Sequence, residues 1–481
     1  MILSNITSYI YNNTVKKYCL NVPFDPPEAY PELPNPANID TTNQVYPMVR
    51  ELLVKLGLDK ENVNTPKWNP FKDIIKPGNN VLIKPNLVSN QHYLGNEALY
   101  STITHGSILR PIIDYVYIAL NDKGSIVIAD NPIEMADFDA LMNLTKIKDL
   151  VKSLTERGYP DLKVFDLRPR LCKEDKKGRF YYENQTGDPL GYTNIDLGSN
   201  SLFAEFDLDR DIHYYTLADQ TIDHLNPKCV RQSLTDKYHN SSRHSYIVSK
   251  TVLDSDVIIN LAKLKSHCKA GVSLTLKNMI GMVYQKECMP HHRPGLPPKG
   301  DSFPHYPASY YVASRKLYRS LRKWCYIHRA PGFRTFKNLL RKNKILIDQH
   351  TEHGNWKGND TIWRTILDLN RIAIYSDKQG KMQDSHQRKI IAFIDGIISQ
   401  QGEGPMAGNP VKTSILFGGF NPVLVDALAV KTMGLDYRLF KSLSKAHSIK
   451  KWEILNNSEC DLTFKDMDLP NFNFELPKGW R

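Results

Sequence analysis

Short apolar runs, several of them ending in or just before a charged side chain, alternate along this chain with stretches of helical spacing. Asn80–Lys84 (NVLIK), Ser125–Asp130 (SIVIAD), Leu162–Phe165, Asp256–Leu261, Lys389–Asp395 (KIIAFID) and Val411–Phe417 read as strands. Val45–Leu58, Ser107–Asp122, Ala136–Arg157 and Thr361–Ile374 carry apolar residues three and four apart and read as helices. A further helix is expected from Asn421, a capping residue, through Pro422 at its first position to about Met433, with Gly434 as its stop. Alternation of this kind predicts an α/β fold: a mostly parallel sheet flanked by helices. Two stretches interrupt it. Residues 170–245 are polar and rich in Asp, Asn and Tyr, and read as an insertion with short strands. Residues 285–350 form a second insertion that includes a basic helical excursion. The expected layout is an N-terminal extension (1–74), an α/β domain (75–440) and a C-terminal tail (441–481).

The stretch Asp254–Met282 concentrates the chemistry. Its apolar run leads into Lys263, Lys265, His267 and Lys269, and Lys277-Asn278 follows shortly after. Alternation with period 2 projects all four basic residues on one face of an extended chain. Cations packed at a strand end are costly unless something anionic meets them. In parallel sheets, ligands sit beyond the carboxyl ends of the strands. Lys84 and Asn86, directly after another strand, fit the same anion site as Lys263 and Asn278. His267 is the acid–base candidate, since imidazole titrates near neutrality, and Lys265 and Lys277 are the catalytic cations beside it.

Downstream, Asp395 is followed by the glycine loop GEGPMAG, Gly402–Gly408. Backbone N–H groups at Gly402 and Gly404 can form an anion-binding nest, and Asp395 with Glu403 can hold a divalent metal. Cys288, His291, His292 and His305 are of metal-ligating type, but their spacing matches no standard motif. The seven cysteines include no CxxC pair, so no iron–sulfur cluster is expected, and reduced thiols point to the cytoplasm.

The net charge of +12 is local in origin. No Asp or Glu lies between Asp301 and Asp348, where basic residues cluster over 315–344. With its Leu and aromatic stripe, that segment suits an anionic membrane surface at the inner face of the membrane, a lid over an anionic substrate, or a solvated helical hairpin docked on the core. No nucleic-acid motif accompanies the charge, so nucleic acid is not the expected partner. The expected partner is an anionic small molecule.

Five ordered stretches carry a family resemblance: VLIKPNLV (81–88), SDVIINLAKLKSH (255–267), LTLKNMIGM (274–282), DGIISQQGEGPMAG (395–408) and NPVLVDALAVKTMG (421–434). Together they resemble the domain-of-unknown-function family 362. The resemblance marks Lys84, Asn86, Lys263, Lys265, His267, Lys277, Asn278, Asp395, Glu403, Gly404 and Asp426. Many family members carry a ferredoxin-like cluster domain, whose cysteine pattern this chain lacks. The family's last motif usually opens with Asp-Pro, where this chain has Asn421-Pro422. Residues 352–372 resemble the variant encoded among bacterial surface-polysaccharide genes. The resemblance implies that pathway and no particular reaction; the residues above add the expectation of an enzyme acting on a phosphorylated or otherwise anionic intermediate of it, by phosphoryl or glycosyl transfer or hydrolysis. The alternatives are a membrane-associated scaffold of polysaccharide assembly and a redox protein.

Overall fold

A computed structural model describes residues 6–33, 38–159, 161–175, 180–206, 235–293, 295–298, 300–302, 353–455, 462–464 and 467–481. The basic segment 315–344 and His305 lie outside the described residues. In chain order the strands are β1 (Thr7–Tyr11), β2 (Asn80–Lys84), β3 (Ser125–Asp130), β4 (Leu162–Asp166), β5 (Arg170–Glu174), β6 (Phe180–Asn184), β7 (Tyr192–Asp196), β8 (His239–Asn240), β9 (Arg243–Ser249), β10 (Val257–His267), β11 (Gly271–Ser273), β12 (Lys389–Glu403), β13 (Ala407–Val411) and β14 (Ile415–Gly419).

The central sheet runs in the order β1-β14-β12-β10-β2-β3-β4. Its middle, from β12 through β10, β2 and β3 to β4, is parallel. The β12–β14 and β14–β1 pairs are antiparallel. This is the predicted α/β class. Parallel strands are buried on both faces, and β10 shows why its residues alternate. Val257, Ile259 and Leu261 pack with helices Val45–Lys55 and Gly106–Leu120 on one face. Ile258, Ala262 and Leu264 pack with helices Ile362–Tyr375 and Pro422–Thr432 on the other.

Several boundaries differ from expectation for local reasons. The long helix predicted over 136–157 is two, Phe138–Thr145 and Ile147–Glu156, because Lys146 adopts a left-handed φ of 60°. The single strand predicted over 411–417 is two, β13 and β14, with Ser414 at φ 56° between them. The N-terminal extension supplies the edge strand β1. Residues 170–206 and 239–249 do form short strands: the hairpin β5–β6 and the small sheet β7-β9-β8. The helix Pro422–Thr432 begins as expected, with the Asn421 side chain accepting from the Val423 and Leu424 N–H groups at 2.9 and 3.4 Å. Among the described residues, no helix is long and apolar enough to cross a membrane.

β10 and β12 extend past the carboxyl end of the main sheet. There β10 pairs with β11 and β12 with β13. The β10–β11 turn needs Gly271, at φ 79°, because a Cβ there would lie 2.5 Å from Phe440 and 2.8 Å from Trp480. The C-terminal residues close this end: the Trp480 indole N–H donates to the Cys268 carbonyl at 2.8 Å.

Candidate functional site

The carboxyl ends of β2, β3, β10 and β12 bring Lys84, Asp130, Lys263, Lys265 and Asp395 together. Lys84, Lys263 and Lys265 are each 0% exposed. A buried ammonium is tolerated only with a partner or a shifted pKa, and the three lysines solve this differently.

Lys84 donates to Asp130 Oδ1 at 2.6 Å. The Asn278 side chain accepts from the Lys84 ammonium at 3.4 Å and donates to the Asn260 carbonyl oxygen Oδ1 at 2.8 Å. Gly281 makes this packing feasible, since a Cβ there would sit 2.1 Å from Asp130 Oδ1. Lys263 is bonded to Asp395 Oδ2 at 2.9 Å and to the Tyr18 hydroxyl. Tyr18 also donates to both carboxylate oxygens of Asp395, at 2.8 and 2.9 Å. Burial pushes the Lys263 ammonium down, and Asp395 opposes the shift. Lys265 has no carboxylate. Its amine donates to Asn86 Oδ1 and, at 2.6 Å, to the Thr102 carbonyl. Burial first, then repulsion by Lys277 and Lys263, push its pKa well below the usual lysine value.

Three further lysines share that condition. Lys269 donates to the His353 carbonyl, and Lys286 to Asn131 Oδ1 at 2.9 Å. Lys277 has no hydrogen-bond or ion-pair partner among the described residues. Burial lowers each of the three to about 8. His267 lies among them. Its Nδ1 accepts from the backbone N–H of Lys269 at 3.0 Å and of Ala270 at 3.3 Å. The ring proton therefore sits on Nε2. Burial, then Lys277, Lys265, Lys269 and His291, hold the imidazole neutral, well below its ordinary pKa. His291 donates from Nδ1 to the Met289 carbonyl at 2.9 Å, and burial brings it to about 3.

Asp426 sets the position of Lys277 and Asn278 from a different helix. Its Oδ1 accepts from the Thr275 N–H at 2.8 Å and hydroxyl at 2.5 Å, and its Oδ2 from the Leu276 N–H at 3.0 Å. These are the free N–H groups at the start of the turn Thr275–Asn278. Burial raises the carboxyl to about 7 against those three bonds. An Asn can accept on one oxygen only, and its amide would face the Leu276 N–H. Asp426→Asn is therefore expected to cost about 1–3 kcal/mol in urea unfolding and to weaken anion binding with it.

Four expectations need correction. Lys263 is not open to a ligand, because Asp395 and Tyr18 occupy its ammonium. Lys269 does not continue the face of Lys263 and Lys265: the strand ends at His267, and the turn carries Lys269 toward His353. Asp395 and Glu403 do not form a metal pair. β12 pairs Asp395 opposite Lys263 and Gln400 opposite Lys265, and three more residues separate Gln400 from Glu403, on the order of 15 Å from Asp395 in all. Asp395 is already neutralised, and Glu403 accepts from the Lys478 N–H at 2.6 Å. The glycine loop offers no open nest either. The Gly402 N–H donates to the Glu475 carbonyl at 2.9 Å and the Gly404 N–H to the Gly402 carbonyl at 2.8 Å. Among the described residues, no group of three or more His, Cys, Asp or Glu side chains could hold a metal ion. Cys288 is buried, its Sγ 3.0 Å from the Gln285 carbonyl. The side chains that reading the sequence missed are Tyr18 and Asp130, distant in sequence from the lysines they join, and Lys286, which lies just past the motif.

No curated protein matches the chain. A crystal structure of a protein from Thermotoga maritima, a Northeast Structural Genomics Consortium target, is similar at 12% identity and a TM-score of 0.24. The similar region covers 50% of this chain and 39% of that one. Residues 217–431, which hold β10, β12 and the helix bearing Asp426, match the model of the domain of unknown function DUF362. Most of the site is built within the stretch that is similar to DUF362.

Proposed function

We propose that this protein is an enzyme that binds a phosphorylated or otherwise anionic small molecule at the carboxyl end of its sheet and performs acid–base chemistry on it. One observation carries the reading. Lys265, Lys269 and Lys277 converge around His267, with Lys286 beside Lys277, and none of the four has a carboxylate bonded to it, while neighbouring Lys84 and Lys263 each have one. Unneutralised buried cations raise the energy of the free protein, and an anion relieves that strain. Asn86 and Asn278 would orient the ligand, and the Nε2 proton of His267 would go to a leaving oxygen. Transfer or hydrolysis of a phosphoryl or glycosyl group uses this set, and the resemblance of residues 352–372 supports a place in surface-polysaccharide synthesis. The sequence of 315–344 supports an anionic membrane surface as a further partner.

The test is thermal unfolding in inorganic phosphate, sulfate and chloride at matched ionic strength. Oxyanions are expected to raise the midpoint by about 2–3 degrees over chloride, what 2–3 kcal/mol of ligand stabilisation gives a chain of this size. Equal midpoints in all three salts would contradict the reading.

A further inference from the structure

Of the four lysines without a carboxylate, three have their amines engaged: Lys265 by Asn86 and Thr102, Lys269 by His353, and Lys286 by Asn131. Lys277 is different. Its amine makes no hydrogen bond among the described residues, and its side chain is half-buried where Lys265 is fully enclosed. The turn that carries it is held rigid at both ends, by Asp426 at Thr275 and Leu276 and by the Asn278–Asn260 bond. An amine that no hydrogen bond holds in place, carried on a fixed turn beside other cations and reachable from outside, is an arrangement that makes lysine a nucleophile.

We infer that Lys277 forms a covalent imine with an aldehyde or ketone that also carries a phosphate or carboxylate group, the neighbouring lysines binding the anion while the amine meets the carbonyl. The inference rests on the anion-site reading above and adds the carbonyl to it. The neutral amine adds to the carbonyl carbon, forming a C–N bond, and the π electrons move to oxygen. That oxygen takes the Nε2 proton of His267, and the added nitrogen loses its extra proton to the resulting imidazolate or to solvent. His267, with Nε2 reprotonated, then gives that proton to the hydroxyl, which leaves as water while the nitrogen lone pair forms the C=N bond, and the remaining N–H proton of the iminium returns to His267. No oxidant or reductant takes part. Burial supports the chemistry: with the amine lowered to about 8, its unprotonated fraction at pH 7 is about one in ten, against about one in three thousand for an ordinary lysine.

The probe is pyridoxal 5′-phosphate, trapped with sodium cyanoborohydride at pH 7 on the full chain and mapped by peptide mass spectrometry. Label is expected to concentrate on Lys277, at least about tenfold over exposed lysines such as Lys148. It should fall when sulfate is added and be much weaker with pyridoxal, which lacks the phosphate. Label spread over surface lysines, or centred on another lysine of the cluster, while sulfate still raises the unfolding midpoint would overturn the imine and leave the anion site standing. If sulfate neither protects nor stabilises, the anion site itself fails and the imine with it.

Discussion

Asp395→Ala is expected to destabilise the protein by about 3–5 kcal/mol, the cost of leaving a buried charge without its partner. The carboxylate of Asp395 accepts from Lys263, Tyr18 and the Ile397 N–H. Removing it strands an ammonium that no water can reach. Urea unfolding of Asp395→Ala, Lys263→Met and the double variant measures the coupling. The double variant should recover most of the loss, because two apolar side chains of similar volume replace a pair whose desolvation cost is nearly as large as its attraction. A single variant that unfolds like the parent would show that Asp395 does not neutralise Lys263.

Two residues further along the same face of β10, the sign reverses. Lys265→Met is expected to stabilise the free protein, on the order of 1–3 kcal/mol at pH 7, because it removes a buried cation repelled by its neighbours. The same change should weaken sulfate or phosphate binding about 10–100-fold, the worth of one charge-assisted hydrogen bond. Stability gained and affinity lost together mark a residue kept for a ligand. The pH dependence has a matching sign. Lys269, Lys277 and Lys286 titrate near 8 when folded and near 10.4 when unfolded. Between those values the unfolded chain binds more protons, so the free protein gains stability as pH rises through that window. Anion affinity should fall over the same range, as the cations discharge.

Much of this was legible in the sequence, and the exceptions share a cause. Asn80–Lys84 and Ser125–Asp130 are strands as expected, because each is a short apolar run bounded by turn residues. Helix Ile362–Tyr375 follows its apolar stripe to within a residue at each end. The cations at the end of β10 do lie buried together at the carboxyl end of the sheet, where charge has few structural uses. Its internal pairing was not legible. Lys263 is 132 residues from Asp395, and Tyr18, 245 from Lys263, comes from a stretch without strand or helix pattern. Spacing along the chain carries no signal for contacts made across a sheet. Asp395 and Glu403 failed as a metal pair for the opposite reason: they are close in sequence, but an extended strand holds them apart. Lys269 was misassigned because strand periodicity was carried past His267, where the chain turns.

The central claim is that the lysines around His267 hold their protons less tightly than ordinary lysines until an anion arrives. Calorimetric titration with sulfate at pH 8, in two buffers of different ionisation enthalpy, tests it most directly, because sulfate does not itself titrate there. Binding should take up protons from the buffer, up to about half a proton for each of Lys269, Lys277 and Lys286, and Lys277→Met should take up fewer. Sulfate binding with no proton uptake, or no binding at all, would contradict the account.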